Sequence, residues 1–193
     1  MTLKKINKQI TNDISNQWAI SLGYKPIYSV SENSKIILIS QAPGRVSQEK
    51  NIAWDDASGK TLKNWLGVTE NEFYNLNNFA ILPMDFYYPG KDLYGDLPPR
   101  KEFARLWHLQ ILNQMNNVRL KILIGGYAQK YYLFNEKKSN LTKKVSDFET
   151  FLPEYFPIVH PSPLNFRWKT KNPWFESEVI PKLQKIVKGI LAS

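Results

Sequence analysis

Four short apolar runs, Ile36–Ile39, Phe79–Leu82, Lys121–Ile124 and Phe156–Val159, are spread through this chain at long intervals. Each is shorter than a typical helix, and their β-branched and aromatic residues suit a sheet buried on both faces. Between the second and third runs, Phe103, Leu106, Trp107, Ile111 and Met115 recur at helical spacing. Val179, Leu183, Ile186, Val187 and Ile190 do the same near the C-terminus. Strands joined by connections of this length pair in parallel through right-handed crossovers. The expected fold is therefore α/β, a three-layer α/β/α sandwich around a central four-stranded, mainly parallel sheet. Residues 1–193 are read as a single domain, since that length and 42% hydrophobic content with six Trp can bury one substantial core. Ligands of such sheets bind outside the carboxyl ends of the strands, so the loops that follow the runs are where function is sought.

Two of those loops carry chemistry. Ile36–Ile39 runs into Ser40-Gln41-Ala42-Pro43-Gly44, which breaks the strand sharply. Trp54-Asp55-Asp56-Ala57-Ser58-Gly59 follows, with Leu62, Trp65 and Leu66 at helical spacing behind it, so Asp56 and Ser58 fall at or just before a helix N-terminus. Either residue serves there as a simple cap or as part of a phosphate-binding turn. The last run delivers His160-Pro161-Ser162-Pro163-Leu164, whose prolines hold the backbone stiff and extended and push a leucine and a hydroxyl outward. Alone, it is equally a rigid connection after an ordinary strand-end histidine.

Together these segments resemble the uracil-DNA glycosylase superfamily. Ser40–Gly44 looks like its first motif, His160–Leu164 is similar to its second, and Trp54–Gly59 resembles the aromatic-x-x-Asp-x-Ser-Gly stretch of several branches. The resemblance covers roughly residues 30 to 190. It implies a DNA repair glycosylase that hydrolyses the N-glycosidic bond of a base flipped out of DNA, uracil or another deaminated base, with duplex or single-stranded DNA as partner. In that role His160, as a neutral imidazole, donates an N–H to a base carbonyl and stabilises the departing anion. Asp56 stabilises the cationic sugar and positions water, with Asp55 or Gln41 as substitutes. Gln41 orients water but cannot act as a base near pH 7. By the same resemblance Trp54, Gln41 and His160 bind the base, Leu164 wedges into the duplex, and Ser162, Ser58 and Arg167 meet the DNA backbone. No cofactor and no metal is implied, and a monomer is expected.

The chain departs from the family pattern in three places. Ala42 stands where the best-known branch has its water-activating aspartate. The end of the second run, Phe79-Ala80-Ile81-Leu82-Pro83-Met84-Asp85, lacks the asparagine that reads the base edge in uracil-specific members. That leaves Asp85, backbone groups or no reader at all. Zero cysteines exclude the iron–sulfur cluster that some branches carry, along with disulfides and thiolate metal sites. A non-catalytic member that only recognises damaged or single-stranded DNA is the alternative, and a hydrolase of free nucleosides a third reading.

Charge fits a polyanionic partner but does not require one. Lys and Arg number 26 against 17 Asp and Glu, a net +9. Lys137, Lys138, Lys143, Lys144, Arg167, Lys169 and Lys171 are candidates for a basic rim beside the site, or for a merely soluble surface. Met1–Gln9 is polar, and no window approaches the about 18 uninterrupted apolar residues of a membrane span, so a cytoplasmic protein is expected. The turn-rich loop from Tyr87 to Arg100 is long enough to line a site, with Tyr87 and Tyr88 either stacking on bases or packing beneath it. Gly125-Gly126 is read as a strand-to-helix turn or a close approach for phosphate. His108, inside a helical stripe, is read as structural.

Overall fold

In the computed structural model, which describes residues 2–93, 95–136 and 139–193, the apolar runs become the central sheet. Its strands are β1 (Ile36–Ile39), β2 (Phe79–Ile81), β5 (Leu120–Ile124) and β6 (Tyr155–Ile158). Two short strands, β3 (Lys91–Asp92) and β4 (Gly95–Asp96), form a separate antiparallel hairpin. The helices are α1 (Leu3–Asn12), α2 (Gln17–Ser21), α3 (Arg45–Lys50), α4 (Ala57–Leu66), α5 (Glu70–Tyr74), α6 (Phe103–Leu112), α7 (Gly126–Tyr132), α8 (Leu141–Ser146), α9 (Phe166–Lys171) and α10 (Ile180–Ala192).

The sheet order is β2-β1-β5-β6, and every pairing is parallel. Alternation along the strands divides the core in two. Ile36, Leu38, Phe79, Ile81, Ile122 and Ile124 face the layer holding α4 and α10, whereas Ile37, Ile39, Ala80, Leu82 and Leu123 face the layer holding α1 and α6. This is the expected three-layer sandwich. The last run shifts by one residue, because β6 takes in Tyr155 and ends at Ile158. Pro157 is tolerated in it because β6 is an edge strand, where a missing N–H leaves no ladder bond unmade on the open side. The chain leaves β1 toward β2 on one side and reaches β5 on the other, so the carboxyl end of β1 borders a crevice.

Two segments differ from the sequence reading. The polar N-terminal stretch forms α1, whose Ile6 and Ile10 lie one turn apart and are fully buried in the layer that holds α6. Full burial of an isoleucine contributes roughly 1.5–3 kcal/mol, and with the partly buried Leu3 the pair anchors a helix whose remaining residues are mostly exposed. The loop from Tyr87 to Arg100 is not structureless, since β3 and β4 pair within it. Tyr87 and Tyr88 are buried beneath it and do not present their rings to a ligand. Asp85 is wholly buried and grips Arg100 in a two-point ion pair, with Arg100 Nε–Oδ2 at 2.7 Å and Nη2–Oδ1 at 2.8 Å. Both carboxylate oxygens are thereby engaged, which removes Asp85 as a reader of the base edge.

Candidate active site

At the carboxyl ends of β1, β2 and β6 lies a cavity of about 440 Å3, within the usual size of small-molecule sites. Gln41, Trp54, Asp56, Ser58, His160, Ser162 and Leu164 all line it, although they come from three separate segments of the chain. The loop after β1 is tied to the loop after β2, because Met84 N–H donates to the Ser40 carbonyl at 2.8 Å and Asp85 N–H to that of Gln41 at 3.1 Å.

Trp54 has φ 61°, a left-handed conformation that costs a bulky residue of order 1–3 kcal/mol and persists only where its surroundings enforce it. Here the enforcement is steric. A Cβ on Gly59 would lie 1.7 Å from the Trp54 carbonyl oxygen, so only glycine lets the Trp54 turn settle on the first turn of α4. The indole packs into the core and also forms part of the cavity wall.

Asp56 precedes α4 and caps it, its Oδ1 accepting the Gly59 N–H at 2.8 Å. Asp55 instead pairs with Lys50 at 2.9 Å and lies outside the cavity lining. Of the two neighbouring carboxylates, Asp56 is the one that lines the cavity.

His160 is held from both sides of its own backbone. Ser162 N–H donates to its Nδ1 at 3.2 Å, and Asn165 Nδ2 donates to its carbonyl oxygen at 2.7 Å. An acceptor at Nδ1 leaves the proton of the neutral ring on Nε2. Burial pushes the imidazole below its ordinary pKa, and the Asp56 carboxylate pulls it partly back. The ring is therefore neutral near pH 7, with an N–H to donate. Its centroid lies 5.6 Å from that of Trp54. Gly125, at φ 83°, backs the same histidine, since a Cβ there would meet His160 Cβ at 3.5 Å. Glycine is required at 125 by that positive φ, in the strand-to-helix turn between β5 and α7.

Leu164 projects from the second loop with 88% of its surface exposed, and the Ser162 hydroxyl accepts the Leu164 N–H at 3.2 Å, which stiffens the projection. Arg167, on α9, is exposed and sits over the Phe166 ring, outside the cavity lining. The basic rim is thinner than composition suggests. Lys144 is buried, Lys143 pairs with Asp147 at 2.7 Å and Lys169 with Glu176 at 3.1 Å, while Lys137 and Lys138 lie outside the described residues.

The uracil DNA glycosylase superfamily model matches residues 27–184. The chain belongs to that superfamily. Membership supports a glycosylase-like hydrolase of DNA repair, with DNA as the substrate its fold binds. Among the described residues no three His, Cys, Asp or Glu side chains come together as a metal-binding group would require, and no helix is long and apolar enough to cross a membrane.

Other lining residues emerge only from the fold. Ile27, Ser47, Ile81, Pro83, Asp96 and Asn165 also line the cavity. Asp96 comes from β4, in the loop whose length had marked it as site-lining, and its Oδ1 accepts the Tyr88 hydroxyl at 3.3 Å. Ile27 carries no local signal, because it reaches the cavity by packing of a distant segment, and Ser47 reaches it from α3, which directly follows the first loop. His108 is structural, as expected. Its Nε2 donates to the Pro83 carbonyl at 2.9 Å, its Nδ1 accepts from the Tyr132 hydroxyl at 2.6 Å, and burial lowers its pKa to about 4.

Proposed function

We propose that the protein is a DNA glycosylase that hydrolyses the N-glycosidic bond of a flipped uracil or another deaminated base. The observation that carries this reading is the meeting of His160 and Asp56, far apart in sequence, on the wall of one cavity open to solvent. Bond cleavage leaves negative charge on the base and positive charge on C1′ of the sugar. His160 Nε2–H meets the first at a carbonyl oxygen, in a buried setting where a fixed donor acts strongly. Asp56 meets the second and accepts a proton from the water that attacks C1′, with Gln41 helping to orient that water. Trp54 supplies the flat wall on which the base stacks. Leu164 enters the space vacated in the duplex, and Ser162, Ser58 and Arg167 contact the DNA backbone. A cytoplasmic monomer acting without a cofactor completes the proposal.

The decisive measurement is base release from oligonucleotides containing uracil, hypoxanthine or xanthine, scored as alkali-labile cleavage. Activity on at least one of them, reduced about 100- to 1,000-fold by His160→Ala, is the expected result. Salt-sensitive binding without an abasic product would instead identify a non-catalytic DNA-binding member, the reading favoured by Ala42 and by the amide-free end of β2.

A further inference from the structure

The end of β2 gives the cavity a wall without a polar side chain. Ile81 and Pro83 line it, and Pro83 has no N–H. The Leu82 and Met84 N–H groups are spent on the Leu38 and Ser40 carbonyls, and the Pro83 carbonyl accepts from His108. A base entering this cavity therefore finds no side-chain partner and no free N–H donor there for its pairing edge.

Two hydroxyls in the same cavity are in the opposite condition. Ser40, at the end of β1, is 5% exposed, and Ser47, on α3, is 4% exposed. Both line the cavity, and neither side chain makes a hydrogen bond among the described residues. Nor are their oxygens among the described polar atoms sealed away from solvent without a partner, which are Tyr87 Oη, Trp107 Nε1 and Gln129 Oε1. The Ser40 and Ser47 oxygens thus open on the cavity itself. The helix that carries Ser47 is locked by its neighbour Gln48, whose Nε2 donates to the Lys25 carbonyl at 2.8 Å and whose Oε1 accepts the Tyr88 N–H at 2.9 Å. Both hydroxyls face the cavity with no protein partner among the described residues, so a polar ligand that enters can take them as hydrogen-bond partners.

We infer that Ser40 and Ser47 read the hydrogen-bonding edge of the flipped base, in place of a group from the end of β2. This rests on the glycosylase reading of the same cavity. A hydroxyl rotates and offers both a donor and acceptor lone pairs, so it follows either a ring N–H or a carbonyl oxygen. An amide presents its two functions at fixed places. A hydroxyl pair therefore demands that the base be polar on that edge but discriminates weakly among deaminated bases. The substrate class that fits is the lactam bases as a group, pyrimidine or purine, rather than uracil alone.

The test uses duplexes carrying a cleavage-resistant 2′-fluoroarabino nucleotide of uracil or hypoxanthine, beside a tetrahydrofuran site that has no base. Wild-type protein is expected to bind both base-bearing duplexes more tightly than the baseless one, with the two within about tenfold of each other. Ser40→Ala and Ser47→Ala should each remove about fivefold to tenfold of that preference, and the double variant more, while affinity for the baseless duplex stays within about twofold. Melting temperatures should not fall, since neither hydroxyl supports the fold. Equal losses on base-bearing and baseless DNA, an unchanged preference in the double variant, or wild-type binding indifferent to the base would each overturn the assignment. Base-dependent binding by a wild-type protein that releases no base would overturn the glycosylase reading and leave the edge readers standing.

Discussion

The Asp56 carboxylate is claimed by the first turn of α4 through the Gly59 N–H, and it also faces the cavity that holds His160. Cap and catalyst can be separated because asparagine caps a helix about as well as aspartate but carries no charge and accepts no proton. Asp56→Asn should therefore leave stability to urea within about 0.5 kcal/mol of wild type and lower the rate of base release by about 100-fold or more. Asp55→Asn breaks only an exposed pair with Lys50 and should change neither quantity by much. If both variants retain wild-type rates, the water-activating role passes to another group. Gly59 makes the complementary case. Gly59→Ala cannot be accommodated without moving the Trp54 carbonyl, so it should cost about 2 kcal/mol or more of stability and displace the indole from the cavity wall. A urea titration with tryptophan emission as the probe measures both effects.

At the scale of elements, the strands were legible because each is apolar on both faces, and burial on both sides of a sheet leaves no room for another reading. The helix α1 was not, because its burial rests mainly on Ile6 and Ile10 in a stretch dominated by Lys, Asn and Gln. The segment from Met84 to Arg100 hid its structure for another reason. Its hairpin is held by tertiary contacts, the Asp85–Arg100 pair and the buried Tyr87 and Tyr88, which no local pattern announces. Asp85→Ala should expose how much that pair holds: removing one partner of a buried ion pair costs about 3–5 kcal/mol, read as a lower urea midpoint. The loop from His160 to Leu164 was legible as a projecting element, and Leu164 does project. With so little of its surface buried, Leu164→Ala should leave stability unchanged while weakening base release from duplex more than from single-stranded DNA. Equal losses on both substrates would remove the wedge role.

For the whole molecule, the two histidines couple the site and the core to pH in the same direction. Both have folded-state pKa values below the ordinary 6.5, His108 at about 4 and His160 lowered by the same desolvation and partly restored by Asp56. A depressed histidine pKa means that the unfolded chain binds more protons than the folded one once pH drops below about 6.5. Stability is thus full above that pH and declines as pH falls toward the folded-state value, with no further histidine contribution below it. For His108 the window runs from the ordinary 6.5 down to about 4, and a gap of that width corresponds to roughly 3 kcal/mol. Protonation would also turn Nδ1 into a second donor facing the Tyr132 hydroxyl, which must then reverse its own bond. Comparing wild type with His108→Gln separates this contribution from the carboxylates that titrate in the same range. The variant should be less stable at pH 7.5 yet lose less stability between pH 6.5 and 4, as measured by urea midpoints across that series. Parallel losses in the two proteins would mean that the His108 ring takes up its proton as readily in the folded protein as in the unfolded chain, and that burial in the seam joining α6, α7 and the end of β2 does not hold it neutral.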